Sequence, residues 1–230
     1  MKTIGLLGGM SWESSVVYYQ LLNRRVRERL GGLHSAKLLL WSFDFAPLEQ
    51  CLATEDWTRL EAHLVDAARR VEEAGADCLV IATNTMHRFA PAIQAAIDIP
   101  LLHIADVTAA AMQAAGVARP LLLATQVTME GSFYRGRLRD DHGIDALVPS
   151  ADERLELNRI IFEELCLGVI DPDSKATMMR WVAAAKEQGA DGVIFGCTEI
   201  GLILEPDELP LPAFDTAELH AAAAIDFALS

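Results

Sequence analysis

Residues 73–85 read EAGADCLVIATNT, and residues 187–199 read EQGADGVIFGCTE. Both run Glu-x-Gly-Ala-Asp, then five mostly apolar residues, then a small polar cluster that opens at Thr83 in one copy and at Cys197 in the other. An apolar run of this length fits a parallel strand covered on both faces. Gly75 just before the first run suits the C-cap of a preceding helix. The copies stand at equivalent points of the two halves of a 230-residue chain. A weaker match at nearly the same offset sets IGLLGGMSWE (4–13) against LLLATQVTME (121–130), with Glu13 facing Glu130. Any two βαβ units share some likeness, but two matches in the same order favour duplication.

Outward from these segments, strand and helix alternate. Residues 3–8 form a short apolar strand closed by Gly8-Gly9, and 12–30 show helical spacing stopped by Gly31-Gly32. Strands are expected at 36–42 and 100–104, an amphipathic helix at 57–74, and an alanine-rich helix up to residue 115. The second half starts again with a strand at 120–125 and helices at 129–142, 152–167 and 172–188. A strand at 192–196 follows, and 211–214 and 217–229 close the chain. Such alternation implies right-handed βαβ units. The expected fold is α/β, with two similar doubly wound parallel-sheet lobes related by pseudo-two-fold symmetry and a site in the cleft between them. The first lobe takes residues 1–104 plus 211–230, and the second takes 105–210.

Composition narrows the function. Hydrophobic residues are 52% and charged residues 23%, ordinary for an α/β protein with a sizeable core. No apolar run approaches the roughly 20 residues of a membrane span, and the N-terminus lacks the long apolar region of a signal peptide. The chain therefore reads as cytoplasmic. A net charge of −14 opposes nucleic-acid binding, yet it leaves room for a small anion, since surface charge is screened within about 10 Å. Cys51, Cys78 and Cys166 read as packing residues without a CxxC pair. Cys197 stands apart because it falls where a buried strand should end.

Ligands of parallel α/β sheets bind beyond the carboxyl ends of the strands. Four polar segments arrive there: Gly8-Gly9-Met10-Ser11, Thr83-Asn84-Thr85, Thr125-Gln126-Val127-Thr128 and Cys197-Thr198-Glu199. Each precedes a helix, whose free N–H groups suit a carboxylate. Any single Ser, Thr or Asn here serves equally well as a helix cap; four together favour a site. GLLGGMS is neither G-x-G-x-x-G nor a phosphate-binding loop. The six histidines form no metal motif, and none of the four lysines sits at a polar strand end. No cofactor and no metal are expected.

GLLGGMS (5–11), NTMH (84–87) and GCTE (196–199) resemble the aspartate/glutamate racemase family, and the likeness runs over nearly the whole chain. The resemblance implies a cofactor-independent amino-acid racemase of two α/β lobes, acting on a small-molecule amino acid. Two residues, one per lobe, would flank the α-carbon, and the matching positions are Thr83 and Cys197. Met10, Asn84, Thr85, Thr125, Thr198 and Glu199 would surround the substrate. Family members usually form homodimers, a state that the sequence itself neither supports nor excludes.

Inverting an α-carbon requires removing a proton from one face and delivering one to the other, which two opposed groups can do. A thiolate at a helix N-terminus, with its pKa expected to be lowered, is a competent base. Preorganised N–H and O–H donors would stabilise the carbanion. Most family members carry Cys at both positions, whereas this chain carries Thr83 at the first. A hydroxyl is a far weaker acid than a thiol. Cys197 is therefore expected to abstract and Thr83 to reprotonate, with slow turnover biased towards one enantiomer. Aspartate racemases resembling this chain carry a Lys at the position of Cys166, so Arg88 or Arg135 would have to meet a side-chain carboxylate, or the substrate range is broader. Two alternatives are a single-cysteine decarboxylase or isomerase of the same superfamily and a non-catalytic amino-acid-binding protein. His87 and His103 read as core or supporting residues.

Overall fold

The computed structural model describes residues 1–230 as two compact units, Met1–His103 with His220–Ser230 and Ile104–Leu219. In the first, strands β1 (Ile4–Gly8), β2 (Leu38–Ser42) and β3 (Cys78–Ile81) pair in parallel in the order β2-β1-β3. Leu101 adds a parallel bridge to Leu79, which extends the order by one position. Helices α1 (Trp12–Leu30), α2 (Phe45–Ala53), α3 (Trp57–Glu73) and α4 (Ala90–Gln94) connect and cover them.

Local chemistry sets the element boundaries. Ser11 caps α1 by accepting from the Ser14 amide at 3.3 Å, and Gly31 ends it at φ 73° with its own amide on the Arg27 carbonyl. In α3, Leu60, Leu64, Ala67, Ala68 and Val71 fall on one face and are buried. Every residue of β1 and β3 is buried, as helical cover on both faces requires, whereas the edge strand β2 is partly exposed. The core of this lobe gathers Leu7, Leu60, Leu64, Leu79, Ile81 and Phe89.

The second unit holds α5 (Ile104–Ala114), β4 (Leu121–Leu123), α6 (Gln126–Glu130), α7 (Ser132–His142), α8 (Ala151–Arg159), α9 (Pro172–Glu187), β5 (Val193–Phe195) and β6 (Ala213–Asp215). The last helix, α10 (Thr216–Leu229), crosses the division between Leu219 and His220. The sheet runs β4-β5-β6 in parallel, and Leu147 bridges to Leu121 on the other side of β4. Counted by chain position, both lobes have the strand order 2-1-3-4. The duplication legible in the repeat is therefore present in the topology.

Several expectations need correcting. Residues 211–219, expected in the first lobe, belong to the second, because β6 pairs with β5. The strand expected at 100–104 shrinks to the single Leu101 bridge, and α5 already starts at Ile104. The helix expected at 129–142 is two helices broken at Gly131, where a Cβ would collide with the Phe133 ring. The helix expected at 152–167 runs through a π-turn at Ile160–Glu164 into a 3-10 turn at Leu165–Leu167.

Gly9 carries the turn after β1. Its φ is 81°, its amide donates to Ser15 Oγ at 2.7 Å, and a Cβ there would strike the Phe43 backbone. Gly9→Ala is expected to destabilise the protein by about 2 kcal/mol. Urea unfolding checks this, and an unchanged midpoint would show that the turn has room.

Candidate functional site

A parallel sheet of order 2-1-3-4 reverses its direction of winding between its first and third strands, and ligands bind at the carboxyl ends of those two strands. In the first lobe those ends are Gly9–Ser11 after β1 and Thr83–Thr85 after β3. In the second they are Thr125–Thr128 after β4 and Cys197–Glu199 after β5. All four polar segments read from the sequence thus fall at the two switch points.

In the first lobe the Ala82 amide donates to the Leu7 carbonyl and continues the β1–β3 pairing by one step. The chain then turns into the 3-10 segment Thr85–Phe89. Thr83 and Thr85 are half-buried and Asn84 is buried. His87 Nδ1–H donates to the Thr83 carbonyl at 2.8 Å, and the His87 amide donates to the Asn84 carbonyl at 3.1 Å. Burial holds the His87 imidazole well below its ordinary pKa, and His103 and His220 push in the same direction. Met10 is packed into the apolar core with its side chain buried, so only its backbone is left to face a ligand.

In the second lobe Thr125 precedes α6, and its Oγ1 shares a hydrogen bond of 3.1 Å with Thr128 Oγ1. Gly196 brings the turn after β5 close to the sheet: its amide donates to the Leu123 carbonyl at 2.7 Å, and a Cβ would sit 2.8 Å from Leu122 Cδ1. Cys197 then opens the short 3-10 segment Thr198–Leu202. Its Sγ donates to Glu199 Oε2 at 2.8 Å, and Thr198 Oγ1 donates to the same oxygen at 2.7 Å. Glu199, expected around the substrate, thus holds both the sulfur and the threonine hydroxyl.

This geometry overturns the expectation of a lowered thiol pKa. Burial pushes the Cys197 thiol well above its ordinary value, and the Glu199 carboxylate pushes it further by opposing a second negative charge. The resting sulfur is a thiol whose proton points at a carboxylate.

The sequence profile of the Asp/Glu/Hydantoin racemase family matches residues 7–224. The chain belongs to that family. A Yersinia pestis protein assigned as an Asp/Glu racemase shares 48% identity over the full length of both chains, with a TM-score of 0.95. An aspartate racemase homologue from Pyrococcus horikoshii OT3 is 34% identical, again over the full length of both, with a TM-score of 0.88. The broad specificity amino-acid racemase RacX of Bacillus subtilis (strain 168) is 22% identical over 173 residues, 74% of this chain and 73% of RacX.

Other residues of this racemase-family chain fall as follows. Arg88 stacks over the Trp57 ring at 4.2 Å, and Arg135 Nε donates to the Ala146 carbonyl at 3.2 Å, so each expected substitute cation already has a partner. Cys166 lies on the 3-10 turn that packs against Thr198–Leu202, near enough for its charge to raise the Cys197 thiol. No three His, Cys, Asp or Glu side chains are grouped so as to hold a metal ion, and no helix is long and apolar enough to cross a membrane. The Cys197–Glu199 bond went unread in the sequence, although a Glu two residues beyond a strand-end Cys was visible there.

Proposed function

We propose that the protein is a cofactor-independent amino-acid racemase that inverts the α-carbon by proton transfer between two residues, Cys197 on one face and Thr83 on the other. The observation that supports this most is the pairing of a thiol with a buried carboxylate at one switch point, while the equivalent point of the duplicated lobe offers a hydroxyl. Membership of a racemase family and the amino-acid racemase activity named for its relative RacX point the same way.

In the forward direction Glu199 accepts the thiol proton, and the resulting Cys197 thiolate takes the α-proton. Negative charge develops on the substrate carboxylate, to which backbone N–H groups at the strand ends and the hydroxyls of Thr85 and Thr125 would donate. Thr83 delivers its hydroxyl proton to the opposite face. Glu199 now holds one proton too many and Thr83 one too few, and water carries that proton back. No electrons are gained or lost. A substrate α-ammonium close to the sulfur would lower the thiol towards the range in which this transfer is feasible.

The test is a panel of enantiomerically pure amino acids, aspartate and glutamate included, incubated with purified protein and no added cofactor. Progressive loss of optical activity is expected for at least one acidic amino acid, with no release of carbon dioxide. Binding without loss of chirality across the panel would overturn the proposal, as would carbon dioxide release from a malonate-type substrate alone.

A further inference from the structure

Three histidines far apart in sequence converge in the first lobe behind the Thr83 turn. His87, His103 and His220 are all buried. The His87 ring lies 4.7 Å from that of His103 and 5.6 Å from that of His220. His220 is fixed at both nitrogens: Nε2–H donates to the Leu102 carbonyl at 2.7 Å, and Nδ1 pairs with the Tyr18 hydroxyl at 3.0 Å. A carbonyl only accepts, so the hydrogen sits on Nε2 and the bare Nδ1 accepts from Tyr18. The chain of contacts runs from α1 through α10 to the strand-end turn, and Tyr18 is itself fully buried.

The far end of that chain is the Thr83 peptide. Through its ring and its amide, His87 grips two successive carbonyls, those of Thr83 and Asn84. Apolar side chains would fill the same space without the desolvation that three imidazoles incur. What the imidazole adds is a donor aimed at the backbone of the one residue in this lobe that carries chemistry.

We infer that His87 is the positioning residue for Thr83, locking the turn after β3 so that the hydroxyl keeps one orientation towards the α-carbon, with His220 and Tyr18 fixing the ring from behind. The inference rests on the reading of Thr83 as one of the two proton-transfer residues. A histidine that merely filled core space would affect both faces of the substrate alike. A histidine that sets the Thr83 peptide acts on one face. Burial keeps His87 and His220 uncharged around neutral pH, so the hydrogen-bond direction does not change there.

The experiment compares α-deuterium exchange of the two enantiomers by wild type, His87→Phe and His87→Gln in deuterated water, together with the alkylation rate of Cys197. In His87→Phe the ratio of the two exchange rates is expected to shift by about tenfold, within what a small misplacement of a reacting group costs. Cys197 alkylation stays at the wild-type rate, and His87→Gln, which keeps a side-chain donor, recovers part of the ratio. Equal loss for both enantiomers, or an unmoved ratio, would overturn the inference. Absence of exchange in the wild type would instead overturn the racemase reading beneath it. If His87→Phe does not fold, imidazole ¹⁵N shifts of the wild type decide: a protonated Nδ1 on the Thr83 carbonyl is expected at His87, and a bare Nδ1 contradicts the inference.

Discussion

Cys197→Ser is expected to reduce racemisation by about a thousandfold or more, because a hydroxyl is a far poorer abstracting group than a thiol and general acid–base steps contribute on this scale. The fold should survive. Cys197 is half-buried, and a serine hydroxyl donates to Glu199 as the thiol does, so stability should change by less than about 1 kcal/mol. Circular dichroism and thermal melting separate loss of chemistry from loss of structure. The raised thiol also sets the pH dependence. The thiol hands its proton to Glu199 rather than to water, so the protonated sulfur beside the carboxylate is the active form, and the rate should stay level through the range in which an ordinary thiol ionises. A Cys197→Ser variant with near wild-type turnover would remove the sulfur from the mechanism.

The second large effect is on stability in mild acid. His220 is held at a pKa of about 4 by burial, against an ordinary 6.5, and His87 is displaced in the same direction. The unfolded chain binds a proton at each of these sites as the pH falls below 6.5, whereas the folded chain resists it. The contribution is fully present above that pH and is lost progressively down to about 4. A shift of this size at His220 alone corresponds to roughly 3 kcal/mol, a considerable part of a usual total of about 5–15 kcal/mol. The groups facing His220 are His87, the Tyr18 hydroxyl and the Leu102 carbonyl, none of which supplies a compensating negative charge. The exposed carboxylates paired with arginine, such as Asp66 and Asp140, titrate below the ordinary carboxylate range and act in a lower window. Melting temperature should therefore fall steeply between neutral pH and the onset of carboxylate titration. His220→Gln should flatten part of that slope, and a wild-type profile with no slope would contradict the account of a neutral buried cluster.

How much of this was legible in the sequence depends on the range of the interactions. β1, β3, β4 and β5 could be read from short apolar runs because a strand buried on both faces leaves that mark in consecutive residues. The switch-point segments followed from the strands, since they begin where the runs end. Breaks within helices were not visible. Apolar spacing continues through Gly131 and through the π-turn at Ile160 even though the backbone pitch changes there. Helix α2 was missed because it is short, contains Pro47 and buries only Leu48 and Cys51. The bridge at Leu147 is a single residue without a run of its own.

At the site, local chemistry was readable and its electrostatics were not. Cys197 and Glu199 are two residues apart, a spacing that on a continuing strand puts both side chains on one face but roughly 7 Å apart along it. They meet because the chain leaves β5 and turns into a 3-10 segment at that point. The result is a thiol pushed up by a carboxylate rather than pulled down by a helix terminus. The histidine cluster was beyond reach for a different reason. Residues 87, 103 and 220 have no shared motif, and only the return of α10 to the first lobe brings the last of them to the other two.

The division of labour between Thr83 and Cys197 can be measured most directly by α-deuterium exchange starting from each pure enantiomer of the best substrate. In an achiral solvent the equilibrium constant of racemisation is one, so kcat/KM must be equal in the two directions and reveals nothing. The informative quantities are the initial exchange rates at saturating substrate and the deuterium content of recovered, uninverted substrate. With a thiol–carboxylate pair serving one face and a lone hydroxyl serving the other, the two enantiomers should exchange at clearly different rates. Equal rates for both would contradict the asymmetric proton transfer on which the account rests.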